Sequence, residues 1–401
     1  MSTTNGASGQ VLPVLLAMIA MGLSALFVAH RVSNALGQQS VVVNAADAAA
    51  YSGAHWTARR LNLMAYTNRA MLANHIAVGH LVAYISWLRY VENASARLAA
   101  VSSFIPYVGT ATRVANRAVR TSLGLSERLS WGFINGVDVL HGLMSASQLQ
   151  ARRQLLPDRI DTLMRKVAQR HDGELRVNRG GAIQSVPQPY QAALAGKLLV
   201  YRTDLLNYVD SDQPGRDRGY FQRILSQSID DDHNLSRWLR GRRSHGAPRF
   251  GTGGRSWSDS ILGLVKLRKQ GATNQAPSPD AGGWRSADRF QIRERDFLGW
   301  ESWGTLAQGR ANADRLAGNY DGIDRYTHLA QRNNTDGRLE IPAIVTRSAT
   351  NPPATHAHYS VAEVVYQPSK ACKDNCPPDN AKPTLFNPYW RARLVAPEIL
   401  P

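Results

Sequence analysis

Cysteine is nearly absent from this chain. Cys372 and Cys376, in ACKDNCPP, are the only two in 401 residues. That excludes a disulfide-stapled scaffold and leaves too few thiols for a four-cysteine zinc site. In an oxidising compartment the pair would close a small loop as a disulfide; in a reducing one it would stay as two thiols. Lysine is scarce as well, seven residues against forty arginines. Long apolar runs are limited to one, which excludes a polytopic membrane protein. The spacings HExxH, GxSxG and GxxxxGK[ST] do not occur, so no zinc-peptidase, nucleophile-elbow or P-loop signature is present. No catalytic residue, cofactor site or metal site is assigned, and the chain reads as non-enzymatic.

The one apolar run is Val11 to Ala29, with Val11, Leu15, Ile19, Leu23 and Phe27 along it and no charge inside it. At about 1.5 Å per residue it spans roughly 28 Å, close to the hydrocarbon thickness of a bilayer. A cleaved signal peptide is the competing reading. The preceding MSTTNGASGQ has no basic residue, and Leu23 or Phe27 would occupy a position where signal peptidase favours a small one. An uncleaved, single-pass anchor is therefore expected over residues 10–30, after a disordered stretch at 1–9.

The anchor meets no helix breaker on its C-terminal side. Asn44 to Ala50, NAADAAA, is a run of small, strong helix formers whose surface admits another backbone closely. A heptad-like seam follows. Leu61, Asn68, His75 and Val82 are spaced by seven, as are Met64, Met71, Val78 and Ile85. This predicts helix-to-helix packing, in the chain's own bundle or against a partner, with polar Asn68 and His75 fixing register. Pro106 and Gly109 predict a turn. A second helix is expected over 110–150, turning Leu129, Phe133, Val137, Leu140 and Met144 toward the first. Shorter helices are expected at 159–170 and 190–209. Residues 31–210 thus read as a helical stalk and bundle.

Residues 211–401 read as a mixed α+β region. Gly/Pro-rich loops are expected at about 245–256 and 270–285, and strands at 260–267, 289–295, 338–346, 358–366 and 390–395. The fold class is α+β: a membrane helix extended into a long helix, a helical hairpin, then a region with a small sheet. The aromatic clusters at Phe297–Gly304 and Phe386–Trp390 read as core, with a partner surface as the alternative. His356 and His358 would share one side of a strand, but no third metal ligand can be named. Asp230, Asp231, Asp232 and His233 read as a helix cap with solvated neighbours, or a cation site. Gly251 to Gly254 reads as loop.

The net charge of +17 permits binding to nucleic acid or an anionic membrane. The arginines are scattered through nearly every segment, so a generally basic surface is the simpler reading and a nucleic-acid partner is not expected.

Gly9 and Gln10 leading into one apolar helix, then Asn44, Ala45, Ala46, Asp47 and Ala48 some fifteen residues past it, resemble the N-terminal signature of TadG-like proteins of Tad/Flp pilus-assembly systems. The resemblance covers residues 9–54. It implies a protein anchored in the inner membrane of a Gram-negative cell, its bulk in the periplasm, with other pilus-assembly or pilin-like proteins and the lipid bilayer as partners. Val14 stands where prepilins carry a glutamate, so a role as processed major pilin is not implied. The alternative is a membrane-anchored envelope hydrolase using Asp230 to Asp232 or the His356/His358 pair.

Overall fold

A helix of 91 residues, α1 (Val11–Val101), runs through the whole architecture. The computed structural model describes residues 11–104, 107–178, 180–184, 186–210, 221, 224–225, 257–261, 264–275, 283–296, 299–320, 322–323, 325–330, 337–348, 355–368 and 382–397. The burial pattern of α1 divides it in two. From Leu12 to Gly37 every side chain is exposed, although most are apolar, which fits a helix solvated by lipid. From Val42 onward one face is buried almost continuously. The chain is a membrane-anchored protein with one apolar N-terminal helix and a soluble helix-and-sheet domain hung on the continuation of that helix.

The helix α2 (Val108–Arg153) returns antiparallel along α1. Arg89 meets Glu127, Glu92 meets Arg120, and His141 meets the Met71 carbonyl. The expected second helix is therefore present, but its inward face differs from the expectation. Val137 is buried and Met144 partly so, whereas Leu129, Phe133 and Leu140 are exposed. Ser130, Ile134, Val137, His141 and Gln148 face inward instead. The 3.6-residue period picked the largest apolar residues, while the buried face is centred on polar ones.

The helices α3 (Pro157–His171), α4 (Gly180–Gln184) and α5 (Gln188–Leu206) follow, with the short strands β1 (Arg176–Val177) and β2 (Val209–Asp210). Pro157 and Pro187 stand at the starts of α3 and α5, where a missing N–H costs nothing. Beyond residue 256 come β3 (Trp257–Ile261), β4 (Val265–Gln275), β5 (Trp284–Asp296), β6 (Gly299–Trp300), β7 (Gly304–Asn312), α6 (Ala313–Ala317), β8 (His328–Leu329), β9 (Arg338–Ser348), β10 (Thr355–Tyr366) and β11 (Trp390–Val395). Three strand expectations correspond to β9, β10 and β11, and a fourth falls inside β5. The expected strand at 260–267 is instead the end of β3 and the start of β4, an antiparallel hairpin. The loop expected at 270–285 is overturned at both ends, where β4 continues to Gln275 and β5 begins at Trp284; residues 276–282 lie outside the described residues. The expectation missed β7. Its sequence GTLAQGRAN contains two glycines and little β-branching, so strand propensity hides it.

Two sheets result. The first is antiparallel, ordered β1-β9-β10-β11. Ile341 lies on its α1 face, against Gly53 and Met164, while Pro342 and Tyr359 lie on its α5 face. With helices on both faces, β9 is buried on both sides from Ile341 to Thr346, and its residues do not alternate. The second sheet, β3-β4-β5 with β7 and β6 both on β5, packs against the distal half of α1.

There are accordingly two cores along α1. The proximal core takes Val42, Ala45, Ala49, Leu61 and Met64 of α1 with Met164, Leu198, Ile341 and Trp390. The distal core takes Met71, Val78, Val82 and Ile85 with Ile134, Trp284, Tyr320 and Phe386.

Candidate functional site

The richest polar chemistry lies on the inward face of α1. All eight seam positions, Leu61, Met64, Asn68, Met71, His75, Val78, Val82 and Ile85, are buried within the chain's own fold. The apolar ones fill the two cores. Asn68 and His75 have partners contributed from far along the sequence.

The Asn68 amide Nδ2 donates to the carbonyls of Thr327 (2.6 Å) and Leu385 (2.8 Å). Gln148 Nε2 on α2 donates to Asn68 Oδ1 (2.6 Å) and Thr67 Oγ1 (2.7 Å), and Gln148 Oε1 accepts from the Thr327 amide (2.8 Å). Asn62 pairs with both backbone groups of Trp390, Nδ2 to its carbonyl (2.9 Å) and Oδ1 from its amide (3.1 Å). Such amide side chains on a helix can satisfy peptide groups that a sheet edge or loop leaves unpaired when buried.

His75 Nδ1 lies 2.7 Å from the Tyr320 hydroxyl, and its ring packs against both Tyr320 and Trp284. The Trp284 indole N–H donates to the His75 carbonyl (2.7 Å). Burial depresses His75 to about 3, with neighbouring His141 adding in the same direction. His141 is itself lowered by burial, and burial raises Tyr320. The imidazole is therefore neutral at ordinary pH and works as a packed hydrogen-bonding ring.

Further along, Ser86 Oγ donates to Asp288 Oδ2 (2.7 Å), and Lys269 Nζ stands 3.7 Å from Asp288 Oδ1. Both charged residues are almost wholly buried. Glycine makes these approaches possible. A Cβ at Gly79 would sit 2.7 Å from the Trp284 ring, and one at Gly309 would overlap the α1 backbone at Ser86 and Tyr90.

Two open cavities lie away from this seam. One of about 600 Å³ lies between α5 and the first sheet, lined by Lys197, Tyr201, Asp204, Arg338, Glu340 and Tyr359. Burial, then nearby Glu340, pushes Tyr359 up to about 12, and burial raises Asp204. The other, about 440 Å³, is bordered by Arg89, Arg285, Arg310 and Arg315. Among the described residues no group of three His, Cys, Asp or Glu side chains is placed to hold a metal ion.

The remaining sequence-derived positions fall as follows. Leu15, Ile19, Leu23 and Phe27 are exposed on the apolar part of α1. Val11 begins α1, but its side chain lies outside the described residues. Ala45 and Ala46 are buried in the proximal core, Asp47 and Ala48 are half-buried, and Asn44 is exposed. His356 and His358 are both half-buried on β10, and His356 Nδ1 lies 3.2 Å from Gln39 Oε1 of α1. Gly9, Gln10, Asp230 to His233, Gly251 to Gly254, Cys372 and Cys376 lie outside the described residues.

Of the aromatic clusters, Phe386 and Trp390 are core. Trp300 and Trp303 are only half-buried. Their rings are covered by Lys266, Arg268 and Arg293 at 4.1 to 5.0 Å. The reading of that cluster as core is thus corrected. Its two tryptophans lie on β6 and just after it, at the edge of the second sheet beside β5, and meet cations, which bind an aromatic face better than aliphatic side chains do.

Sequence reasoning missed Asn62, Gln148, Trp284, Gly79 and Gly309. Asn62, Gln148 and Gly79 carried a local signal, as polar or side-chain-free positions inside long helices. No family model, curated protein or solved structure matches this chain.

Proposed function

We propose that this chain is a non-enzymatic, inner-membrane-anchored component of Tad/Flp-type pilus assembly or the related secretion apparatus, with its bulk in the periplasm. The observation that carries the reading is the unbroken passage of α1 from a lipid-solvated segment into the small-residue run Asn44 to Ala50 and on through both cores. The membrane segment and the NAADAAA run belong to the TadG-like signature, and here they lie on one continuous helix. The remainder of the chain supplies a folded body held off the bilayer. It would act by presenting surfaces to pilin-like or assembly proteins, and its buried polar groups fix the packing of that body on its stalk.

The test is a chromosomal deletion complemented with the full chain. Loss of surface pili and of adhesion, restored by complementation, is expected; normal piliation in the deletion strain overturns the reading. A C-terminal alkaline phosphatase fusion is expected to be active, and inactivity of a stably expressed fusion would place the body on the cytoplasmic side. In the periplasm Cys372 and Cys376 would resist alkylation until a reductant is added.

A further inference from the structure

The helix α2 has a second seam, opposite the one that meets α1. Ala118, Leu125, Gly132, Val139 and Ala146 are spaced by seven, as are Ser122, Leu129, Gly136 and Leu143, and all nine are exposed. Together they make an a/d stripe of three heptads from Leu125 to Ala146, about 33 Å long. Leu125, Leu129, Val139 and Leu143 are 59%, 64%, 65% and 64% exposed. Phe133 and Leu140 flank the stripe and are exposed as well.

The glycines on this face have no use inside the molecule. A Cβ on Gly132 or Gly136 would meet nothing within 4 Å. Each glycine in a helix interior costs about 1 kcal/mol relative to alanine. Four residues apart at the middle of an apolar stripe, they would let another backbone approach from outside.

We propose that this face pairs with the same face of a second copy of the chain, parallel and in register, making a two-stranded α2–α2 seam beyond the bilayer. Three features select that occupant. First, the anchor fixes orientation: copies inserted in one membrane share one topology, so a two-fold axis along the membrane normal brings their α2 helices together in parallel. Second, the charge pattern suits self-pairing. Arg128 is the only charged residue at the flanking positions between Ser122 and Leu149. In parallel register it falls opposite Phe133 of the second copy, a cation over an aromatic ring. The next two flanking pairs are Asn135 with Leu140 and Gly142 with Ser147, so like charges never meet. Third, each layer of the stripe meets its own residue type, with Leu125 and Leu129 above, glycines in the centre, and Val139 and Leu143 below. The proposal rests on the membrane anchor and is independent of the pilus reading.

Site-directed crosslinking in native membranes tests it, using the full chain with Cys372→Ser and Cys376→Ser. Leu125→Cys and Val139→Cys, each alone, are expected to give a homodimer band with a short bismaleimide. The exposed neighbour Asp138→Cys, about 100° around the helix, is expected to give at least tenfold less. Adding Leu129→Glu and Leu143→Glu should remove the Val139→Cys dimer while circular dichroism of the purified protein stays unchanged. An antiparallel pairing would separate residue 125 from its own copy, so crosslinking confined to positions near the middle of the stripe overturns the proposal. Equal yield at positions 138 and 139, no dimer at any position, or adducts only of a different mass would each overturn it too.

Discussion

His75 shows what a single buried residue contributes. Its pKa is held near 3, below the ordinary 6.5. A neutral His75 thus stabilises the fold fully above about pH 6.5, and that stabilisation is lost as pH falls from there toward 3. The loss follows because the unfolded chain binds a proton that the folded one refuses, with a limiting slope of about 1.4 kcal/mol per pH unit. His141, lowered by burial as well, adds with the same sign. Urea unfolding of the soluble domain between pH 7.5 and 5 is expected to show this slope, and His75→Gln to flatten it. An unchanged slope in the variant would assign the pH dependence elsewhere. The seam spacing showed that position 75 faces a neighbour. It could not show Tyr320 and Trp284 as the partners, because they lie 245 and 209 residues away in sequence.

At the scale of elements, close approach between a helix and a sheet governs the distal half. The strand β7 crosses α1 at Gly309, where any side chain would overlap the helix backbone at Ser86 and Tyr90. Gly309→Ala is expected to destabilise by about 1–3 kcal/mol, since overpacking must push β7 away from α1 and strain the Ser86–Asp288 contact. Gly304→Ala, on the same strand with a nearest neighbour at 3.7 Å, is expected to fall within about 0.5 kcal/mol of the parent. Thermal unfolding of both variants makes the comparison, and equal losses would show that the crossing is not tight. This element illustrates the limit of the sequence. The helices α1, α2, α3 and α5 and the strands β9, β10 and β11 declared themselves through periodicity and β-branched content. A glycine-bearing strand such as β7 is selected by what it must pass, and that information lies in a helix two hundred residues earlier. The same holds for α2, whose inward polar face is legible only once Thr327 and the Leu385 carbonyl are in place beside Asn68.

At the scale of the whole molecule, the Asn68 network stands at the junction between the proximal and distal cores. Met64 belongs to one and Met71 to the other. The amides of Asn68 and Gln148 hold the Thr327 and Leu385 segments where the cores meet. Asn68→Ala would remove the three buried hydrogen bonds of its amide, at about 1 kcal/mol each. It is expected to lower the thermal midpoint and to resolve unfolding into two steps, as locally cooperative units separate. A single sharp transition at a lower temperature would show that α1 alone couples the cores.

The continuity of α1 also has a mechanical side. The helix from residue 38 to 101 extends about 95 Å past the apolar segment, at 1.5 Å per residue. It acts as a lever whose short arm is the part in lipid. Membrane helices tilt by about 20° on average, and the angle responds to bilayer thickness. Along a rigid arm of that length, such a tilt carries the far end sideways by about 32 Å. A bilayer that thickens or thins by a few ångströms would therefore swing the distal sheet across a distance comparable to its own width. The reach of this protein parallel to the membrane would then be set by lipid composition.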